Sequence, residues 1–397
     1  MKKRLLMLGG AWAQIPAIKR AKQLGYYVIT CDYLPNNAGH QFSDEYVNIS
    51  TVEKETVLQY AEQAGIDGII AYASDPSAVT AAYVSERLHL PGGCYDAVNM
   101  MSEKDRFRAF QREHGFQVPT FFSVTAQSEL EKVKEGISFP CVVKPVDSSG
   151  SKGVTKVETV AQLDEAAALA LSFSRCGRAI VEEYIPSPYC QLHGDGIVYN
   201  GRLIFAALGD QRFYNAVPIG TSFPSKIGSA LLHRAQEEAS RFIACSGYEC
   251  GGVNIEIRVT AAGEIYILEI GPRTGGNYVP QLMRLATGED EVTAALQIAM
   301  GETPAIRMPL GVNCCFQYII GSRRNGAFQH IKIDEYTRGR LEELYVHKVS
   351  GDWLSDYHNS SEVVGVALIR FPDRQEMEAS IGQIDRHIQV ITKGGCR

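Results

Sequence analysis

The chain has 397 residues, enough for two or three domains rather than one core. Its formal net charge of −6 leaves no global basic field to recruit nucleic acid or an anionic membrane. No apolar stretch reaches the ~20 residues of a membrane span, and the ten cysteines are scattered without a C-x-x-C pair, which fits reduced thiols in a cytoplasmic protein.

Met1 to Arg4 opens like the basic head of a signal peptide, but only Leu5 to Leu8 follow before Gly9–Gly10. A strand opening a folded domain is the expected reading. Residues 4–10 then form a buried strand, Ile15 to Leu24 a helix closed by Gly25, and Tyr26 to Cys31 a second strand ending at Asp32. That is a strand–turn–helix–strand unit of the doubly wound type. A second unit follows, with helix 53–64, strand 67–73 and helix 77–88, before Pro91–Gly92–Gly93 breaks the pattern. Helix 102–114 has Ser102 as its expected N-cap and stops before Gly115. From about residue 118 strands dominate, with helices near 160–172 and 229–246. The last stretch holds strands at 313–321, 342–348 and 362–371 and a helix at 375–388.

Four segments carry chemistry. Gly9–Gly10 with Asp32 at the next strand end is a weak match to a dinucleotide turn, since the three-glycine spacing is missing. Cys141 to Val143 is a short strand that delivers Lys144 to the run Asp147 to Gly153. Such a loop brings backbone N–H groups close to phosphate oxygens, with a lysine as a compact charge at its base. It is not a Walker loop. Ala179 to Pro188 (A-I-V-E-E-Y-I-P-S-P) is an extended segment that offers a carbonyl and an N–H to the edge of a base. Finally, N-I-E-I-R-V-T-A-A-G-E-I-Y-I-L-E-I-G-P-R, from Asn254 to Arg273, is a hairpin turning at Ala261, Ala262 and Gly263. A simple register there pairs residues whose numbers have an odd sum, which puts Glu256 and Glu269 on one face. Two facing carboxylates repel, and as oxygen ligands on a stiff sheet they suit Mg²⁺ held between protein and phosphates.

Taken together and in order, these segments resemble the ATP-grasp superfamily over roughly residues 1–300. The family includes biotin carboxylase, D-alanine–D-alanine ligase, L-amino-acid ligases and purine-pathway ligases. The resemblance implies a mixed α/β and α+β chain. A Rossmann-like parallel-sheet domain (1–95) would precede a two-lobe ATP-grasp domain (96–305, small lobe about 118–185, large lobe about 186–305). A small C-terminal α+β region (306–397) would follow. It further implies ATP with Mg²⁺, Mn²⁺ being the alternative ion. Lys104 in S-E-K-D-R-F-R and Lys144 match the family's phosphate lysines, and Ser148, Ser149, Gly150, Ser151 and Gly153 its mobile glycine loop. Glu182, Glu183, Tyr184 and Ile185 match the adenine hinge, Glu256 and Glu269 the metal-bridging acids. Arg273 matches the arginine that steadies a carboxylate or its acyl phosphate. The implied reaction is ATP-dependent joining of a carboxylate to an amine through an acyl phosphate.

Two departures stand out. Gly271 replaces an asparagine that many members use as a further metal ligand, so Asn254, Asn277 or water would have to substitute. No ribose-binding acid follows the hinge; Tyr189, Gln191 and His193 lie near that place, with His193 read as a structural residue. The turn Arg273–Thr274–Gly275–Gly276–Asn277 and Lys226, with Arg212 and Tyr214 before it, are candidate substrate contacts. Small-molecule carboxylate and amine are the expected partners, and a homodimer through the N-terminal domain is compatible with the pattern. The competing readings are a purine-pathway or carboxylase-like ligase, a nucleotide-binding module without turnover, and a dinucleotide oxidoreductase.

Overall fold

The computed structural model describes residues 2–214 and 217–394. Alternating and continuous apolar runs become four sheets, named here in chain order. The first holds β1 (Arg4–Leu8), β2 (Tyr27–Cys31), β3 (Glu45–Val47) and β4 (Gly68–Ile70), all parallel, in the order β3-β2-β1-β4. Leu5 to Leu8 are fully buried, as strands covered on both faces require. Helix Asp75–Arg87 begins two residues earlier than its apolar pattern suggests, with Pro76 in its first turn.

A helix not expected from the sequence, Tyr95–Ser102, precedes Lys104–Glu113. Ser102 therefore ends one helix, its hydroxyl donating to the Val98 carbonyl at 2.7 Å, and Glu103 takes the N-cap position expected for it.

The small lobe contains β5 (Phe121–Val124), β6 (Cys141–Pro145), β7 (Thr155–Val157) and β8 (Ala179–Glu183), ordered β5-β8-β6-β7. Helix Leu163–Phe173 covers it, burying Leu163, Ala166, Ala167 and Ala170 against Val143 and Val181. A fully buried Leu or Val contributes about 1.5–3 kcal/mol, and an alanine methyl about 0.8 kcal/mol.

The large sheet has eight strands. They are β9 (Leu192–Tyr199), β10 (Arg202–Tyr214), β11 (Val217–Phe223), β12 (Gly251–Val259), β13 (Ile265–Gly271), β14 (Cys315–Gly321), β16 (Leu341–Val346) and β18 (Val363–Arg370). Their order is β13-β12-β9-β10-β11-β14-β18-β16, so three strands from beyond residue 305 extend the sheet that carries the hairpin. A third small sheet, not expected from the sequence, joins β15 (Gly326–Ile333), β17 (Trp353–Leu354) and β19 (Ile388–Lys393). The helix expected at 375–388 is two pieces, Arg374–Ile381 and Ile384–His387, parted at Gly382.

Helix Glu291–Ala299 ties the first sheet to the large lobe. Its Val292, Leu296 and Ala299 pack with Leu5, Met7 and Tyr72. No helix among the described residues is long and apolar enough to cross a membrane.

Candidate functional site

The hairpin β12–β13 places Glu256 directly opposite Glu269, but not through the simple register. Near the turn Ile257 pairs with Ile267, Arg258 with Tyr266 and Val259 with Ile265, an even sum. The ladder shifts between Glu256 and Ile257, leaving Leu268 as an extra, unpaired residue. Without that bulge Glu256 would face Leu268, and Glu269 would follow Ile265 and Ile267 into the core. The core positions on β13 are Ile265, Ile267 and Ile270, a spacing of two and then three. That change of period is the sequence signal for the bulge.

Burial, and then the facing Glu269, push the Glu256 carboxyl up to about 7, against the pull of Lys144. Gln191 donates to Glu256 Oε2 at 2.9 Å and to Gln211 Oε1 at 2.7 Å, so this side chain serves the carboxylate rather than a ribose. Lys104 Nζ lies 3.8 Å from Glu269 Oε2 and donates to the Ser148 carbonyl at 2.8 Å. It thereby links the acids to the glycine loop, which is the turn between β6 and β7. Asp147 roots that loop by accepting from the Cys176 N–H at 2.9 Å and the Ser174 hydroxyl at 2.9 Å. Gly150 and Gly153 have positive φ, and a Cβ on Gly150 would lie 2.1 Å from the Ser360 hydroxyl, so the loop tip rests on the turn before β18. Ser151 shares the left-handed conformation, with φ 61°.

Lys144 reaches down from β6 onto Glu182 of β8, and Arg108 meets the same carboxylate at 3.0 Å. Burial works against the Glu182 anion, but Arg108 and Lys144 outweigh it and hold its pKa down to about 2. Glu182 is 4% exposed with both oxygens taken, so its side chain is committed to Arg108 and Lys144. The other hinge residues divide their tasks. Glu183 Oε2 accepts from the Thr120 N–H at 3.3 Å. The Tyr184 ring lies between Lys156 at 4.5 Å and Arg258 at 4.8 Å. Arg258 pins the Ile185 carbonyl at 2.9 Å, and the Ile185 N–H makes no hydrogen bond among the described residues.

Arg273 is also committed differently than expected. Its Nε and Nη2 donate to the two oxygens of Asp75 at 2.6 and 2.9 Å, and its Nη1 to the Thr274 carbonyl at 3.1 Å. The fork expected for a substrate carboxylate is thus closed on the N-terminal domain. Beside it opens a cleft of about 240 Å³ lined by Asp75, Lys104, Ser148, Ser149, Glu269 and Gly271. Gly271 stands opposite Asn254, whose Nδ2 donates to Asp195 Oδ1 at 2.7 Å and lies 3.1 Å from His193 Nε2. His193 is bonded through its other nitrogen to Thr221 at 2.7 Å, and burial, then Arg273, bring its pKa down to about 4. It is a neutral, buried spacer. Gly275 N–H donates to Asp195 Oδ2 at 2.7 Å, and Asn277 and Tyr278 both hold positive φ beyond Gly276. Lys226 pairs with Glu378 of a C-terminal helix at 2.7 Å, as Arg212 does at 2.6 Å. No bond among the described residues joins either of them to Arg273.

Glu291 is a residue the sequence reading missed. It is fully buried, and neither of its oxygens has a hydrogen-bond donor among the described residues. Burial, then Asp195, raise its carboxyl well above the ordinary range. The folded chain therefore keeps a proton that the unfolded chain releases, so stability is fully present at low pH and falls as pH rises above the ordinary carboxyl range. The slope is up to ~1.4 kcal/mol per pH unit. Glu291→Gln is expected to flatten that slope in urea unfolding between pH 5 and 8; equal slopes in the two proteins would refute it.

The glycine turn after β1 is closed. A Cβ on Gly10 would lie 2.1 Å from the His40 ring. Asp32 accepts from the Gly10 and Leu34 N–H groups and from Asn37, at 3.1, 3.0 and 2.9 Å. A ribose would have to displace all three, which removes the support for a dinucleotide oxidoreductase.

The family model of the ATP-grasp domain matches residues 109–277. The uncharacterized protein y4rH of Sinorhizobium fredii is 26% identical over 239 residues, 59% of this chain and 49% of that protein. The chain thus spans about half the length of that relative. A formate-dependent phosphoribosylglycinamide formyltransferase of Burkholderia pseudomallei is 28% identical over 324 residues, 77% of this chain and 78% of that protein. An L-amino acid ligase from Bacillus licheniformis superposes with a TM-score of 0.83 at 20% identity, covering 99% of each chain, which speaks for the fold. The two-lobed sheets, the lysines beneath a glycine loop and the matched segment lead to one statement: residues 109–277 of the chain match the ATP-grasp domain.

Proposed function

We propose that the protein joins a small carboxylate to an amine at the expense of ATP, through an acyl phosphate. The observation that carries this reading is the pair Glu256 and Glu269 on one face, with Lys104 against Glu269 and Lys144 on the facing lobe. Two half-buried carboxylates held together with one pushed up to about 7 make a site short of positive charge, which fits Mg²⁺. No group of three or more His, Cys, Asp or Glu is assembled for a metal among the described residues, so phosphate oxygens and water would complete the shell. A bound Mg²⁺ would supply charge stabilisation to the transferring phosphoryl group.

The chain's own residues do the rest. Lys104 and Lys144 offset phosphate charge, and the glycine loop's N–H groups close over it and exclude water. The Ile185 N–H offers the donor for the adenine edge. The substrate carboxylate is already ionised at neutral pH, so its attack on the γ-phosphate needs no base. Breaking the γ-phosphate bond releases ADP, and the amine then displaces phosphate from the acyl carbon.

The substrate class is tested by ADP release with a panel of carboxylates, from formate to amino acids, crossed with amines. The relatives favour including formate with a glycinamide-type amine. Release that needs both partners supports the proposal. Release with neither, or none with any pair although ATP binds, would refute it. A pH consequence follows from Glu256. Its carboxyl must lose a proton to accept a metal, so Mg²⁺ affinity should fall about tenfold per pH unit below about 7 and level off above it. Mg²⁺ titrations at pH 6, 7 and 8 measure this directly, and a flat response would exclude Glu256 as a ligand.

A further inference from the structure

We infer that Arg108 is a positioning residue that holds the phosphate-binding and metal-binding halves of the site in one frame. The inference rests on the metal reading of Glu256 and Glu269 given above. Arg108 is fully buried, and all five of its N–H donors are used. Nε and Nη2 donate to Glu182 at 3.0 and 3.5 Å, and Glu182 is the carboxylate under Lys144. Nη2 also donates to the Leu268 carbonyl at 2.9 Å, and Nη1 to the Ile267 carbonyl at 3.2 Å and Gln111 Oε1 at 2.9 Å. Gln111 in turn donates to the same Ile267 carbonyl at 3.0 Å.

Ile267 and Leu268 are the two residues at the bulge that turns Glu269 away from the core and toward Glu256. A bulge leaves a ladder locally unpaired, so its carbonyls need partners from outside the sheet. Arg108 and Gln111, one turn apart on helix Lys104–Glu113, supply them. One guanidinium thus fixes both the rotation of a metal acid and the seat of a phosphate lysine, while its side chain is spent on protein groups alone. A lysine carries the charge but lacks the planar fork, so it can keep Glu182 and not the two carbonyls.

The probe is Mn²⁺ with ADP, its binding followed by loss of the free Mn²⁺ electron paramagnetic resonance signal. Arg108→Lys is expected to weaken Mn²⁺ retention at least tenfold. On a Glu269→Gln background the same change should cost less than twofold, because the group whose orientation it sets no longer bears charge. Gln111→Leu, which keeps Arg108 and removes one carbonyl contact, should shift retention the same way by a smaller factor, and it carries the test if Arg108→Lys does not fold. Equal losses on both backgrounds would mean general structural damage and overturn the inference. Unchanged retention in Arg108→Lys would overturn it as well, and so would unchanged retention in Gln111→Leu if that variant stands alone. If the wild-type chain itself retains no Mn²⁺ with ADP, the ligase reading fails first and the inference falls with it.

Discussion

Glu269→Gln is expected to lower turnover at saturating ATP by about 10²–10³-fold, the scale on which a preorganised charge-stabilising group acts in a partly dehydrated site. The change is nearly isosteric, so the hairpin and its bulge should persist. It also removes the repulsion that helps push Glu256 up. The variant should therefore be at least as resistant to urea as the parent. Fast loss of activity with undiminished stability marks a functional carboxylate, because a group kept for the fold would show the reverse. Steady-state ADP release and urea unfolding on one preparation decide it. Activity within a factor of three of the parent would remove Glu269 from the site.

Glu182→Leu is expected to destabilise the fold by about 3–5 kcal/mol, the cost of stranding buried charge when one partner of an internal pair is removed. Two cations depend on Glu182. Arg108 is fully buried, and the Lys144 ammonium is already lowered by burial, which Glu182 partly offsets. Without the carboxylate Lys144 can lose its proton, whereas Arg108 cannot. The destabilisation should therefore ease at high pH but never vanish. A loss below ~1 kcal/mol in urea unfolding would show that the buried pair is hydrated or re-partnered.

Much of the site was legible because its parts are local. A short strand ending in Lys144 and a glycine run, a hinge closed by prolines and two acids in one hairpin are all patterns within twenty residues. The same locality explains the misses. Arg273 was read as a free fork because nothing near it in sequence points to Asp75, 198 positions away. Nothing near Glu182 in sequence points to Arg108, which meets its carboxylate from 74 positions away. Helix Tyr95–Ser102 was hidden because Ser102 made an acceptable cap for the next helix. The face shared by Glu256 and Glu269 was expected from an odd register that holds only beyond the bulge, so two things must be right for the pair to meet: the turn and the extra residue.

The Arg273–Asp75 bridge bears on what counts as a unit of inheritance here. The segment matched as an ATP-grasp domain, 109–277, contains Arg273 but neither Asp75 nor Lys104. Excised or grafted onto a different N-terminal domain, that segment would carry a buried cation with its counterion left behind. Recombination can therefore swap the first domain only for one that brings an acid to the start of the corresponding helix. The matched segment is thus tied to the domain before it by Arg273 and to the residues after it by Ser360, Glu378 and the strands that extend its sheet.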